Sequence, residues 1–153
     1  MATVNNNANI PKTSKNKNAV TNGAFNMSGS DSLTLPAGTY YFNSFSMSGN
    51  TNLILAGPVI IYCTGDFNAG GGSITNPSQK PRDFQVYCTG STVSLHGGAA
   101  FCGMIYAPTS DISRSGGSTE CYGALIGKTL TINGSSGVHF DQALAGLLNV
   151  TCQ

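Results

Sequence analysis

The segment Phe25-Asn26-Met27-Ser28-Gly29-Ser30 recurs twenty residues later as Phe45-Ser46-Met47-Ser48-Gly49-Asn50. In both copies apolar and polar residues alternate up to a glycine, which is the pattern of a β-strand with one buried face that ends in a sharp corner. An apolar pair follows each copy at the same distance: Leu33 and Leu35, then Leu53 and Leu55. The repeat indicates a chain built from short strands at a nearly fixed interval.

The same pattern returns, with substitutions, at Phe67–Gly71, Val93–Gly97, Ile112–Gly116 and Leu130–Gly134. A second series accompanies it, since Val59–Gly65 matches Phe84–Gly90, and Phe101–Ala107 matches Cys121–Gly127. Each repeat therefore holds at least two short strands and a glycine corner.

One repeat cannot cover its own apolar face, so it must stack on a copy of itself. Residues 25–140 show none of the 3.6-residue periodicity of a crossover helix. We therefore expect an all-β, single-domain, right-handed parallel β-solenoid of about six coils and ~30 Å length, spanning residues 23–140. The alternative is an antiparallel sandwich, which leaves the twenty-residue repeat unexplained.

Three segments depart from the repeat. Residues 1–22 are rich in asparagine and lysine, and we expect either a flexible lead or a strand lent to a neighbour. Residues 69–83 lengthen one repeat and should project as a surface loop. Residues 141–153 begin with an N-cap aspartate and place Leu144, Leu147 and Leu148 at helical spacing, so we expect a short helical cap on the last coil.

Charge is scarce, at 8% of 153 residues, and the formal net charge is +1. This balance is too small for a surface that follows nucleic-acid phosphates. The sequence has no apolar run of the ~20 residues that a membrane helix needs, and residues 1–20 lack the apolar stretch of a signal peptide. We expect no nucleic-acid partner, no membrane insertion and no cofactor.

The five cysteines form no Cys-x-x-Cys pair, which speaks against a zinc site. Cys63 and Cys88 occupy the same position in matching strands, so stacking should place their Cα atoms ~4.8 Å apart, within reach of a disulfide in an oxidising compartment. The alignment pairs Phe101 with Cys121 and Cys102 with Tyr122, so Cys102 and Cys121 should point to opposite faces and not bond. Cys152 is expected to be an exposed thiol.

Catalytic chemistry has few candidates. The six acidic residues are spread along the chain without a pair in adjacent repeats, so we predict neither a metal site nor a catalytic carboxylate pair. His139 and Asp141 lie near Ser135 and Ser136, but the interpretation we favour is that they hydrogen-bond strand edges where the solenoid meets its cap. Arg114 falls in an apolar slot, and we favour a local bulge that turns it outward over a ligand contact or an ion pair with Asp111 or Glu120.

The polar side of the glycine-corner strands is more regular. Short hydroxyl and amide groups should form ladders along the solenoid there. The residues are Asn26, Ser28, Ser46, Ser48, Thr92, Ser94, Asp111, Ser113, Thr129, Thr131 and Asn133. Such a flat, weakly charged array suits binding to ice, a glycan or another solenoid, although serine and threonine are also simply compatible with an exposed strand.

Several motifs resemble an uncharacterised bacterial β-solenoid domain found at the C-terminal end of envelope-associated and PilX-like, pilus-related proteins. They are Gly38–Phe42, Gly57–Tyr62, Thr64–Phe67, Phe101–Pro108, Tyr122–Lys128 and Gly137–Leu144. The resemblance covers most of residues 38–144 and implies a solenoid fold in an extracellular or cell-surface bacterial context. That family usually has Val or Tyr where this chain has Cys63, Cys88 and Cys102, and it supplies no catalytic residue.

Together these observations favour a non-enzymatic structural or adhesive module of a bacterial cell-surface, pilus or extracellular filament assembly. It would act by self-association, by binding other surface proteins or through its flat polar face. The alternative is a ligand-binding face for ice or carbohydrate. A polysaccharide-acting enzyme, which would need His139 or Arg114 in a cleft, is the third hypothesis.

Overall fold

The computed structural model describes residues 4–97, 100–116, 120–135 and 137–148. The strands in chain order are β1 (Val20–Thr21), β2 (Ala24–Met27), β3 (Ser32–Leu35), β4 (Gly38–Phe42), β5 (Ser44–Met47), β6 (Asn52–Leu55), β7 (Val59–Cys63), β8 (Phe67–Ala69), β9 (Ser73–Thr75), β10 (Phe84–Cys88), β11 (Thr92–His96), β12 (Phe101–Ser115), β13 (Cys121–Asn133) and β14 (Val138–Phe140). Three 3₁₀ turns (Asn7–Asn9, Pro81–Asp83, Gln142–Leu144) and one helical turn, α1 (Ala145–Leu148), complete the described elements.

The strands stack in parallel and form three faces of a β-solenoid. Face one contains β2, β5, β8, β11 and the C-terminal halves of β12 and β13. Face two contains β3, β6 and β9. Face three contains β4, β7, β10, the N-terminal halves of β12 and β13, and β14. The predicted parallel solenoid is confirmed.

The coil length changes along the molecule. Face one aligns Phe25, Phe45, Phe67, Val93, Ile112 and Leu130, so successive coils take 20, 22, 26, 19 and 18 residues. The longest coil holds the segment expected to be a loop, but Ser73–Thr75 within it is a strand of face two. Among the described residues face two has no strand after β9, and the later coils, of 19 and 18 residues, are shorter than the earlier ones.

Alternation along each strand places the core inside the coils. β2, β3, β5 and β6 each bury every second residue, as the sequence pattern predicts. Phe25, Phe45 and Phe67 stack through the core with ring centroids 4.5 and 4.3 Å apart. Such stacked rings bury large apolar areas along the axis.

Corner glycines allow the coils to stack closely. Gly29 and Gly49 have φ of +76° and +74°, which favours glycine. A Cβ atom on Gly49 would lie 2.5 Å from the carbonyl oxygen of Gly29 in the coil below. The corner therefore requires glycine both for its backbone conformation and for the spacing between coils.

The N-terminal segment lies along the exposed edge of the first coil. β1 pairs antiparallel with β2, the Ser14 amide donates to the Ser32 carbonyl, and the Asn6 amide donates to the Thr39 carbonyl. Residues 4–21 thus reach all three faces of coil one, and we call them the N-terminal strap.

The predicted C-terminal helical segment is present, but it packs on the side of the solenoid. Leu144 is buried against Met104 and Ala124, which point outward from face three. The inward side chains of the last coil remain exposed, with Leu130 at 45% and Ile132 at 39%. The Gln142–Leu144 turn therefore packs on part of face three, and among the described residues it leaves Leu130 and Ile132 at the end of the stack uncovered.

Candidate functional site

The outer surface of face one carries one continuous row of short polar side chains. Strand register aligns, one per coil, Asn26, Ser46, Asn68, Ser94, Ser113 and Thr131. Neighbours in parallel strands are ~4.8 Å apart, so the row is ~24 Å long. The predicted register of Asn26 with Ser46, and of Ser94 with Ser113 and Thr131, is confirmed. We call these six residues the polar row.

Sequence reasoning missed Asn68, which joins the two halves of the polar row. It directly follows Phe67, just as Ser46 follows Phe45. The matching position after the core phenylalanine was the signal that would have identified it.

A second row flanks the first on the same face. Thr92, Asp111 and Thr129 are in register, and the Thr129 hydroxyl donates to the Asp111 carboxylate at 2.7 Å. On the other side of the polar row, His96, Ser115 and Asn133 are in register. The Ser115 hydroxyl is hydrogen-bonded to Nδ1 of the His96 imidazole. Ser28 and Ser48 are exposed at the corners after β2 and β5. Within the strands of face one that the structure describes, Asp111 is the only acidic side chain, so the face is nearly neutral.

Face three carries a tyrosine stack that the sequence analysis did not identify. Tyr41, Tyr62 and Tyr87 are in register with centroid distances of 5.0 and 5.1 Å, and Tyr106 follows at 6.1 Å. Burial and the neighbouring Tyr62 raise the pKa of Tyr87. The sequence feature that would have identified this stack is a tyrosine directly before the last apolar position of these face-three strands.

A groove of about 600 Å³ opens where face two ends. Its walls include Ile74 and Asn76 on one side and Cys102, Tyr122, His139 and Asp141 on the other. The groove lies beside β9, the last strand of face two among the described residues.

The groove does not bring together a nucleophile and a base. Cys102, Tyr122 and His139 occupy successive strands in register, so the Tyr122 ring, stacked on His139 at 4.9 Å, separates the thiol from the imidazole. Burial and the negative charge of Asp141 raise the pKa of Cys102, and the hydrogen bond from Asn76 only partly offsets them. The thiol is therefore protonated near neutral pH.

His139 and Asp141 have separate partners. The His139 imidazole lies 3.0 Å from the Glu120 carboxylate, and Asp141 accepts a hydrogen bond from the Ala143 amide at 2.9 Å. Asp141 thus caps the 3₁₀ turn, as its N-cap position in the sequence predicted. The favoured interpretation that both side chains bond strand edges is wrong, because Asp141 bonds a turn amide and His139 bonds a carboxylate. Ser135 is exposed, and Ser136 lies outside the described residues.

The prediction that a bulge turns Arg114 outward is wrong. Arg114 is only 3% exposed and lies in register between Leu95 and Ile132, inside the coil. Its Nη1 donates to the Leu95 carbonyl at 3.4 Å. A guanidinium inside the coil needs hydrogen-bond acceptors there, and the Leu95 carbonyl is one of them.

The cysteine register is as predicted. Cys63 pairs with Cys88, and both thiols donate to the Gly65 carbonyl, at 3.3 and 3.2 Å. The hydrogen bond to Cys88 and burial together raise the pKa of Cys63. Cys121 points into the core, where burial outweighs the nearby positive charge of Arg114 and raises its pKa to about 11, while Cys102 faces the groove. Cys152 lies outside the described residues.

Whether Cys63 and Cys88 form a disulfide remains a prediction. Peptide mapping of oxidised protein without reduction should recover a Cys63–Cys88 link and no Cys102–Cys121 link. A Cys102–Cys121 link would contradict the register of β12 with β13, since the two side chains lie on opposite sides of face three.

The described residues contain no group of three or more His, Cys, Asp or Glu side chains placed to hold a metal ion. None of their helices is long and apolar enough to span a membrane.

Fold and surface together define a small β-solenoid domain with a flat polar face and a side groove. Residues 43–147, more than two thirds of the chain, match the family described as a domain of unknown function, DUF7305, and the chain belongs to this family. Comparison with curated proteins and with solved structures gives no match.

Proposed function

We propose that this domain is a non-enzymatic structural or adhesive module of a bacterial surface, pilus or extracellular filament assembly, and that face one is its contact surface. The observation that supports this proposal is the unbroken polar row, which extends through six coils with one short hydroxyl or amide side chain on each. A partner bound along face one would therefore contact a short hydroxyl or amide side chain at every coil.

The physical character of face one suits adhesion to a repetitive partner. Short side chains lose little conformational entropy when they are immobilised in a contact. The face is nearly neutral, so binding should depend only weakly on salt. Hydroxyl and amide groups can both donate and accept hydrogen bonds, which suits a hydroxyl-rich or peptide surface.

A non-enzymatic role is also favoured by the groove. Its thiol is held protonated and separated from the imidazole by the Tyr122 ring. A nucleophilic thiol is normally activated by a base within hydrogen-bond reach, directly or through one water, and the Tyr122 ring lies between these two groups.

Ice or carbohydrate binding by the same face is the second candidate function. The regular ~4.8 Å spacing of hydroxyl-bearing strands favours it, because an ordered array can match an ordered ligand. Thermal hysteresis and glycan-array binding separate this candidate from protein-mediated adhesion.

Disrupting the polar row tests the proposal. We expect Ser46→Lys combined with Ser94→Lys to reduce binding to bacterial cells, purified surface filaments or glycans at least tenfold, because each lysine projects from the flat surface. The matched control is Thr34→Lys with Asn50→Lys, which adds the same charge at exposed positions outside the row. Thermal unfolding followed by circular dichroism verifies that both variants fold.

Equal binding by the row variant and its control would refute a role for face one. A wild-type domain that binds none of the cells, filaments, glycans or ice would refute the adhesive proposal as a whole.

A further inference from the structure

The two ends of the solenoid differ in how they are covered. At the first coil, the N-terminal strap supplies hydrogen bonds along all three faces. At the last coil, Leu130 and Ile132 are in register with inward-facing residues of the preceding coil. Their side chains are nevertheless 45% and 39% exposed. Val138 and Phe140 continue this exposed apolar surface at 39% and 57%.

The last strand of face one is also an open sheet edge. Residues Thr129–Asn133 pair with β12 on one side, and no described residue pairs with the other side. Such an edge presents backbone N–H and C=O groups to an incoming strand. The segment Thr-Leu-Thr-Ile-Asn contains no charge and no proline, the features by which exposed edges are usually protected from pairing.

The sequence of this edge fits a second copy of itself. In an antiparallel pair centred on Thr131, Leu130 of one copy faces Ile132 of the other, and Thr129 faces Asn133. Apolar residues then meet apolar residues on the inner side, and polar residues meet polar residues on the outer side. A two-fold axis makes both halves of such a contact identical.

The strap restricts the geometry further. A copy stacked head to tail would need the edge of coil one, which the strap already occupies. Head-to-tail stacking would therefore require displacement of the strap, whereas two open ends can meet without displacing it.

From these observations we infer that the C-terminal end of the solenoid is a dimerisation surface, at which Thr129–Asn133 of one chain pairs antiparallel with the same segment of a second copy. This inference does not depend on what face one binds. The contact joins two polar rows end to end and leaves a strap at each outer end, so association stops at two chains.

Sedimentation velocity over a concentration series tests the inference. We expect a dimer of the wild-type chain, and Thr131→Lys should weaken association at least tenfold because it places two lysines opposite each other on the axis. Asn26→Lys is the matched control, since it lies in the same row at the strap end and is also exposed. The readout is molecular mass rather than adhesion, so it can fail or succeed independently of the proposed function.

Disulfide cross-linking tests the register of the proposed antiparallel pair. Opposed residues in an antiparallel pair have Cβ atoms ~4.5–5.5 Å apart, so Thr131→Cys should form a 131–131 link between chains under oxidation, identified by peptide mapping. Asn26→Cys should not form the equivalent link.

Three results would overturn the inference: a wild-type chain that stays monomeric at about 100 μM, a dimer that Thr131→Lys leaves intact, or cross-linking at position 26 equal to that at position 131. A chain ending at Leu148 that dimerises while the full chain stays monomeric would also overturn it, because the chain's own last residues would then be the occupant of the end.

Discussion

Asp31 joins the strap to the first coil. Its carboxylate accepts hydrogen bonds from the Ser14 hydroxyl at 2.7 Å, from the Lys15 amide at 3.1 Å and from the Ser32 amide at 3.0 Å. Burial opposes ionisation of Asp31, but these bonds and one from Thr13 outweigh it and lower its pKa to about 2. The bonds favour the charged carboxylate, so the ionised form holds the strap in place.

The attachment of the strap should therefore weaken as the pH falls. An unfolded aspartate has a pKa of ~3.9, so the contribution of Asp31 is fully present above about pH 4 and is lost as the pH falls towards 2. We expect wild-type stability in urea to drop more between pH 5 and pH 2.5 than that of Asp31→Asn. Hydrogen exchange at residues 4–21 should accelerate over the same range.

Asp111→Asn is the control for this prediction, because that carboxylate is exposed and does not contact the strap. If Asp31→Asn and the wild type lost the same stability in acid, Asp31 would not be the group responsible.

At the scale of elements, the phenylalanine stack connects the first three coils. Phe45 contacts Phe25 and Phe67 at 4.5 and 4.3 Å and is 1% exposed. In a solenoid each coil touches only its neighbours, so stability passes from coil to coil through such contacts.

Removing the central ring should therefore be costly. We expect Phe45→Ala to lower the free energy of unfolding by ~3–5 kcal/mol, because it leaves a cavity between two rings. Tyr62→Ala removes a ring of similar size from the outer tyrosine stack, where Tyr62 is 37% exposed, and should cost ~1 kcal/mol. Urea unfolding measures both, and equal losses would argue against a dominant role for the inner stack.

For the whole molecule, the strand register was predictable from the repeat, whereas the N-terminal strap, the burial of Arg114 and the groove were not. The alternation of apolar and polar residues predicts which face of a strand is buried, and the repeat interval predicts which residues are in register. The register of Cys63 with Cys88 therefore follows from the sequence. The strap was not predictable, since asparagine side chains such as those of Asn6 and Asn7 bond to backbone groups of β4 without any apolar periodicity. The groove was not predictable either, because its walls come from β9 and from strands more than twenty residues later in the chain, which no single repeat reveals.

The stacking direction also determines how the domain responds to a stretching force. The hydrogen bonds between coils lie along the solenoid axis, so tension between its two ends loads them one coil at a time instead of shearing many together. A coil of 20 residues would extend by ~60 Å once it is released. We therefore expect tension along the axis to lengthen the domain one coil at a time while the remaining stack keeps its shape.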